Sequence, residues 1–195
     1  MKKRFLICAL AAALPCMATS ASAQARLNQN ELLRSLDVLD NGKVLDVNAL
    51  RQKAIDSVAT NRDPDPLDRG PLSDELDRLA QFTVQILFQV DSAVVHSDSF
   101  RTLGVIADAL HEPSLQEYKF VVVGHTDASG SRRYNLDLSQ KRAEAIRNAL
   151  VTTFRIQPDR ISAIGLGEEQ LRDRAHPDSA VNRRVQLINL GRYKK

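Results

Sequence analysis

Two cysteines are all this 195-residue chain contains, Cys8 and Cys16, and both stand near its start. Nothing beyond them can form a disulfide, so any fold downstream must be held by its apolar core. Long apolar runs are lacking too. The stretch from Phe5 to Met17 is too short to span a bilayer, which takes about 20 apolar residues. No nucleophile elbow or oxyanion pattern accompanies Ser129, Ser131 and Ser139, and the glycine-bearing turn beside them has no phosphate-loop lysine. The four histidines, His96, His111, His125 and His176, fall at no recognised metal spacing; the best set they offer is His125 and Asp127 with His96. Catalysis is therefore not expected, and neither a metal nor another cofactor is implied. Residues 24–80 are too few and too helical in pattern for a membrane barrel.

What is present begins with Lys2, Lys3 and Arg4, the short apolar run, and small residues ending in Ala21-Ser22-Ala23. A basic start, a short apolar core and a small-residue exit describe a secretory signal peptide. Cleavage is expected after Ala23, with Ala25 as the neighbouring alternative. Pro15 directly before Cys16 is a poor fit to a lipidation site. Removing residues 1–23 takes away both cysteines and three positive charges, so the formal net charge falls from +3 to 0. A polyelectrolyte reading toward nucleic acid thereby loses its support. Residues 24–80 hold 8 basic and 11 acidic side chains and residues 81–195 hold 16 and 13, so the C-terminal part is mildly basic.

Asn30 is placed to cap a helix bearing Leu32, Leu33, Leu36 and Leu39, stopped by Asn41-Gly42. A second helical pattern follows Asn48, with Leu50, Ala54, Ile55 and Val58 on one face. Prolines and a glycine between Asn61 and Pro71 then make a linker. Each helix is too short to persist alone, and needs the following domain, its neighbour or a partner to pack on. After a short helical turn from Ser73 to Leu79, Val84, Ile86 and Phe88 alternate with Thr83, Gln85 and Gln89 in a strand. A helix capped at Ser97 or Asp98 follows, with Phe100, Leu103, Ile106, Ala107 and Leu110 inward, and Pro113 closes it. Tyr118 to Gly124 is a near-continuous apolar strand, expected to be central and covered on both faces. A helix from about Asn135 to Phe154 carries Ala143, Ile146, Leu150 and Phe154 inward. Arg160 to Gly165 is a third strand, Gly165 to Asn182 is irregular, and Arg184 to Leu190 is a last strand. The order predicts an α/β fold, an α+β sandwich of βαβαβ-β type with helices on one face of a mixed four-stranded sheet. Right-handed crossovers bring the ends of the first two strands together. Asp91 and Asp127 follow those ends, where open α/β sheets commonly hold ligands.

The stretch VVVGHTDASGSRRYNLDLSQKR, Val121 to Arg142, concentrates the chemistry. With a helix start near Asn135, Arg142 lies about 10 Å along its helix. Asp127 can accept from an ammonium, and Arg142 can clamp a carboxylate with two parallel hydrogen bonds. Together they fit a carbon bearing both groups, the head of an amino acid. The same spacing serves a structural ion pair between Asp127 and Arg142, and spacing alone favours that plainer reading. His125 is expected to pack beneath the turn. Arg132-Arg133 reads first as a solvated face; Arg183-Arg184 can be solvated or can meet carboxylates.

The segment GHTDASGSRRYNLDLSQKRAEAI resembles the signature of the OmpA-like C-terminal domain family, and the resemblance runs from about Val84 to Leu190. ILFQVDSA is similar to that family's first strand and acidic turn. Gly124-His125-Thr126-Asp127, Gly130, Tyr134-Asn135, Leu138-Ser139 and Arg142-Ala143 match its central motif, Gly165-Leu166-Gly167-Glu168 its third strand, and Asn182-Arg183-Arg184-Val185 its closing motif. Gln89 departs from the acid often found there, and the loop from Gly167 to Asn182 is individual. The resemblance implies a domain that binds peptidoglycan through the diaminopimelate of the stem peptide. By carry-over, Asp127 receives the ammonium and Arg142 the carboxylate, with Asp91, Thr126, Asn135 and Arg183 as further contacts. Arg184 is assigned to the last strand's edge. The expected organisation is a signal peptide over 1–23, a helical extension and linker over 24–72, and the wall-binding domain over 73–195. The expected location is the periplasm, with peripheral association to the outer membrane as an option. An envelope assembly adaptor that recruits a protein partner through residues 24–72 is the alternative.

Overall fold

The computed structural model describes residues 28–36, 45–60, 76 and 79–192. The expected signal peptide, Leu39, Asn41-Gly42, the Asn61–Pro71 linker and the tail from Tyr193 lie outside these residues. Of the turn expected from Ser73 to Leu79, only Leu76 and Leu79 are described.

The apolar run at the centre of the chain becomes the centre of the sheet. Strand β2 (Tyr118–His125) pairs in parallel with β3 (Ile161–Gly167) and antiparallel with β4 (Val185–Arg192). Strand β1 (Gln81–Val84) joins the far side of β4, giving the order β1-β4-β2-β3 in one mixed four-stranded sheet. Period-two alternation then sorts β2 into two cores. Phe120 and Val122 face one side, packing with Ile146 and Leu150; Val121 and Val123 face the other. The first side is closed by helix α1 (Gln29–Leu36), α3 (Phe100–His111) and α4 (Arg132–Thr152). The second is closed by Leu76 and by α2 (Val47–Ala59), through Leu50 and Ala54.

The domain's own helices α3 and α4 share one face, as the element order predicts, and α2 of the N-terminal extension covers the other. The reason is that β2, Ile164 and Ile188 present an apolar surface on the second side as well, and α2 has an apolar stripe to cover it. Burying a Leu side chain contributes about 1.5–3 kcal/mol. Leu32 and Leu36 on α1 and Leu50 on α2 are all essentially fully buried, so packing holds helices that would not persist alone.

Several boundaries move. Asn28, not Asn30, caps α1: its Oδ1 accepts from the Asn30 amide. Helix α2 starts at Val47, just before Asn48, and is capped by Asp46, which accepts from the amides of Asn48 and Ala49. Strand β1 is earlier and shorter than the alternation suggested. Val84 pairs with Val185, the first residue of β4, so the chain runs out of neighbour there. Beyond it Phe88 meets only Val95 in an isolated bridge. Phe100 is 41% exposed rather than inward, because it opens α3 at the rim of the core. Strand β3 runs two residues further than expected, to Gly167, and β4 runs from Val185 to Arg192.

Candidate functional site

The site grows from a close approach of α4 to the sheet. A Cβ on Gly124 would stand 2.5 Å from the Ser139 carbonyl oxygen, and one on Gly165 would collide with the main-chain nitrogen of Gln140. Only glycine lets the helix lie so near. The helix then completes the strand ends. Ser139 Oγ accepts from Gly167 N at 2.8 Å, and Gln140 Oε1 accepts from Gly165 N at 2.7 Å. Helix α4 starts at Arg132, capped by Ser131, almost a turn before the expected Asn135. Arg142 therefore lies about 15 Å along it.

Asp127 ends up buried just past β2. Its Oδ1 accepts from Ser129 N at 3.1 Å, a side-chain-closed turn. Its Oδ2 pairs with Arg183 Nη1 at 2.5 Å, and its main-chain oxygen accepts from Asn135 Nδ2 at 3.2 Å. The structural ion pair favoured from spacing, Asp127 with Arg142, does not form. The partner is Arg183, which the closing strand brings alongside. Arg142 is held differently: Nε donates to the Ser92 carbonyl at 3.0 Å, and the guanidinium lies 4.9 Å from the centre of the Phe88 ring. Among the described residues its terminal nitrogens have no hydrogen-bond partner. Burial draws its pKa down, Asp127 and Asp91 oppose that, and Arg183 adds to it.

The remaining expected residues gather around these two. Asp91 is exposed, in the left-handed region at φ 51°, and accepts from the Tyr134 hydroxyl. Asn135 is buried and also donates to Glu168 Oε2. Thr126 is buried, its amide on the Gly167 carbonyl at 2.9 Å, and its hydroxyl lacks a hydrogen-bond partner among the described residues. Arg183 is half exposed.

Sequence reasoning gave no site role to Glu168, Phe88, Ser92 or Asn182. Glu168 follows β3, the parallel neighbour of β2, so its nearness to Asp127 follows from the pairing of the two strands. Its carboxyl is pushed up, first by burial, then against the Asn135 hydrogen bond by Glu169 and Asp127, while Arg132 opposes. Asn182 is fully buried. Its Nδ2 donates to the carbonyls of Asp173, His176 and Pro177, and its Oδ1 accepts from Asp173 N. Pro177 in turn accepts from Ala128 N at 2.9 Å, which fastens the individual loop to the Asp127 turn.

Two basic residues differ from expectation. Arg132 is not a solvated charge: it makes a fork onto Glu169, Nε to Oε1 at 2.9 Å and Nη2 to Oε2 at 2.6 Å, and Ser57 of α2 donates to the same Oε2 at 2.6 Å. Arg184 is not at an edge, because β4 is interior; it is buried and donates to the Gln170 carbonyl at 3.0 Å. His125 is buried beside Arg184, and burial, then that charge, lowers its pKa well below the ordinary histidine value, with Gln186 opposing. His96 instead lies by Asp98. Among the described residues no three histidines, acids or cysteines converge as a metal set, and no helix is long and apolar enough to cross a membrane.

The end of the sheet thus carries one buried carboxylate and one guanidinium with open donors, each fixed by other groups. Residues 87–184 match the model of the OmpA family, and the chain belongs to that family. It is 33% identical over 120 residues to a peptidoglycan-associated lipoprotein of Pseudomonas aeruginosa, covering 60% of this chain and 68% of that one. It is 34% identical over 106 residues to outer membrane porin F of the same organism, covering 53% of this chain. The chain spans only 29% of that porin's length and 33% of the Pseudomonas fluorescens porin F. The periplasmic domain of Helicobacter pylori MotB shares the fold, with a TM-score of 0.51 at 17% identity over 59% of this chain and 84% of that one.

Proposed function

We propose that this chain is a non-catalytic periplasmic module that holds peptidoglycan through the diaminopimelate of its stem peptide, supporting the integrity of the envelope beneath the outer membrane. One observation carries the reading: Asp127 and Arg142 do not neutralise each other. Arg142 is turned and seated by Phe88 and the Ser92 carbonyl, so its fork remains for a ligand carboxylate. Asp127 keeps acceptor capacity beyond its bonds to Ser129 N and Arg183, because a carboxylate can accept about four hydrogen bonds. The free end of diaminopimelate supplies both partners, an ammonium for Asp127 and a carboxylate for Arg142, with Arg183 beside them. Asp91, Thr126 and Asn135 complete the surroundings, the Thr126 hydroxyl as a donor with no other partner among the described residues. Membership of the OmpA family and the likeness to a protein named peptidoglycan-associated lipoprotein support the same ligand.

The reading predicts discrimination. A lysine-type stem has the amine and lacks the carboxylate, which leaves Arg142 unpaired. The test is co-sedimentation with diaminopimelate-type and lysine-type wall. Wild type is expected in the first pellet and not the second, and Asp127→Ala and Arg142→Ala are expected in neither. Retention of both variants on diaminopimelate-type wall overturns the assignment.

A further inference from the structure

We propose that Glu168 is the second carboxylate of the ammonium subsite and makes the site select a ligand end bearing a free amine. This rests on the diaminopimelate reading above and adds a residue to it.

Asp127 alone is a weak cation receptor here. Arg183 sits on its Oδ2 at 2.5 Å and Ser129 N on its Oδ1, so an arriving ammonium meets a carboxylate already compensated. A second anion is required for the ammonium to gain much over water. Glu168 lies against the same turn, because one atom, Asn135 Nδ2, donates both to the Asp127 carbonyl and to Glu168 Oε2. Its neighbour Glu169 is fully engaged by the Arg132 fork and by Ser57. Glu168 has no salt bridge among the described residues, and its Oε1 has no hydrogen-bond partner among them. It is half-buried, not sealed, so a ligand can reach it. Burial with Glu169 and Asp127 nearby already disfavours its charge, and a ligand ammonium is the group that reverses this.

The plainer role is that Glu168 only anchors the Asn135 amide. Glu168→Gln separates the two, since it keeps an acceptor and drops the charge. The experiment is calorimetric titration of the full chain with two synthetic tripeptides. One is L-alanyl-γ-D-glutamyl-meso-diaminopimelate; the other has 2-aminopimelate in the third position and so lacks only the side-chain amine. Glu168→Gln is expected to weaken the amine-bearing peptide about tenfold, the scale by which a charge-assisted hydrogen bond exceeds a neutral one, and to leave the analogue within about twofold. Glu168→Ala is expected to lose the preference for the amine in the same way. A variant of either kind that keeps the wild-type preference, or an equal loss for both peptides in Glu168→Gln, overturns the proposal. Asp127→Ala and Arg142→Ala run alongside. If they bind as wild type, the diaminopimelate reading itself falls; if they fail to bind and Glu168→Gln keeps its preference, only the role of Glu168 falls.

Discussion

Replacing Arg142 with alanine separates what the guanidinium does for the fold from what it does for the ligand. On the fold side the variant loses the Nε bond to the Ser92 carbonyl and the contact with the Phe88 ring. A hydrogen bond from a charged group is worth roughly 1.5–3 kcal/mol, and a cation over an aromatic face at a partly exposed site about 0.5–1 kcal/mol. Against that stands the relief of desolvation, the largest influence on this group. The net cost to stability is then about 1–2 kcal/mol, a drop of several degrees in melting temperature for a domain of this size. On the ligand side, truncating one partner of a desolvated charge pair costs about 2–5 kcal/mol, roughly 30-fold to several thousand-fold in affinity. Calorimetric titration with the diaminopimelate tripeptide, beside a thermal melt, reads both. Arg142→Lys keeps the charge and the ring contact but loses the fork, so it is expected between wild type and Arg142→Ala. Binding by Arg142→Ala within threefold of wild type refutes the carboxylate clamp. Wild-type binding by Arg142→Lys refutes its two-pronged geometry.

Arg132→Ala strands Glu169, whose side chain is 2% exposed; an unpaired buried charge costs about 3–5 kcal/mol, and a shift under about 1 kcal/mol in urea unfolding argues against the fork as a structural tie. Gly165→Ala drives a methyl group into the α4 backbone at Gln140, an overpacking expected to cost at least about 1–3 kcal/mol, and an undisturbed melting temperature contradicts the close approach. His125 has a depressed folded pKa, so its contribution is intact above the unfolded value of about 6.5 and is lost as pH falls below it, by at most about 1.4 kcal/mol per pH unit. The difference in stability between wild type and His125→Gln is expected to change over that acid range; a difference independent of pH refutes the buried neutral ring.

The sheet's centre was legible because an apolar run interrupted only by Lys119 leaves β2 few alternatives. Helix α4 was legible in kind but not in its start, since Arg132 and Arg133 hide the turn that Ser131 caps. The alternation of Val84, Ile86 and Phe88 was a true signal of one inward face, yet pairing ends where β4 begins. Hydrophobic period reports which face of a segment is buried; it does not report whether a neighbouring strand exists. For the same reason the stripe on α2 announced a buried face without saying which side of the sheet would take it. At the site, the strand-end acid and the arginine of the following helix could be read from chemistry and motif. Their partners could not. Arg183 is 56 residues from Asp127, and Ser92 and Phe88 reach Arg142 from before α3. Those contacts depend on the order in which strands lie, and an ion pair inferred within one strand-turn-helix was the wrong one.

The packing of α1 and α2 bears on whether they recruit a partner. A helix that docks into a groove presents apolar anchors three to four residues apart. Leu32 and Leu36 of α1 are spent on the core shared with α3 and α4, and the Asn189 side chain donates to the Leu36 carbonyl. Leu50 and Ala54 of α2 are spent on the opposite core. Ser57 holds Glu169, and Arg51 donates to Gln140, whose Oε1 also receives the Gly165 amide. A partner reached through these helices would therefore meet their polar faces, or would have to pull them off the sheet. Deleting residues 24–72 cannot decide between wall binding and recruitment, because it uncovers an apolar face and loosens the supports of α4 together. The decisive changes leave Leu50, Ala54 and Ser57 in place and alter the outward positions Gln52 and Asp56, which are exposed and whose side chains, among the described residues, bond to each other. A recruiting surface on α2 loses its partner under those changes while wall binding persists; a helix that serves only to build the domain loses neither.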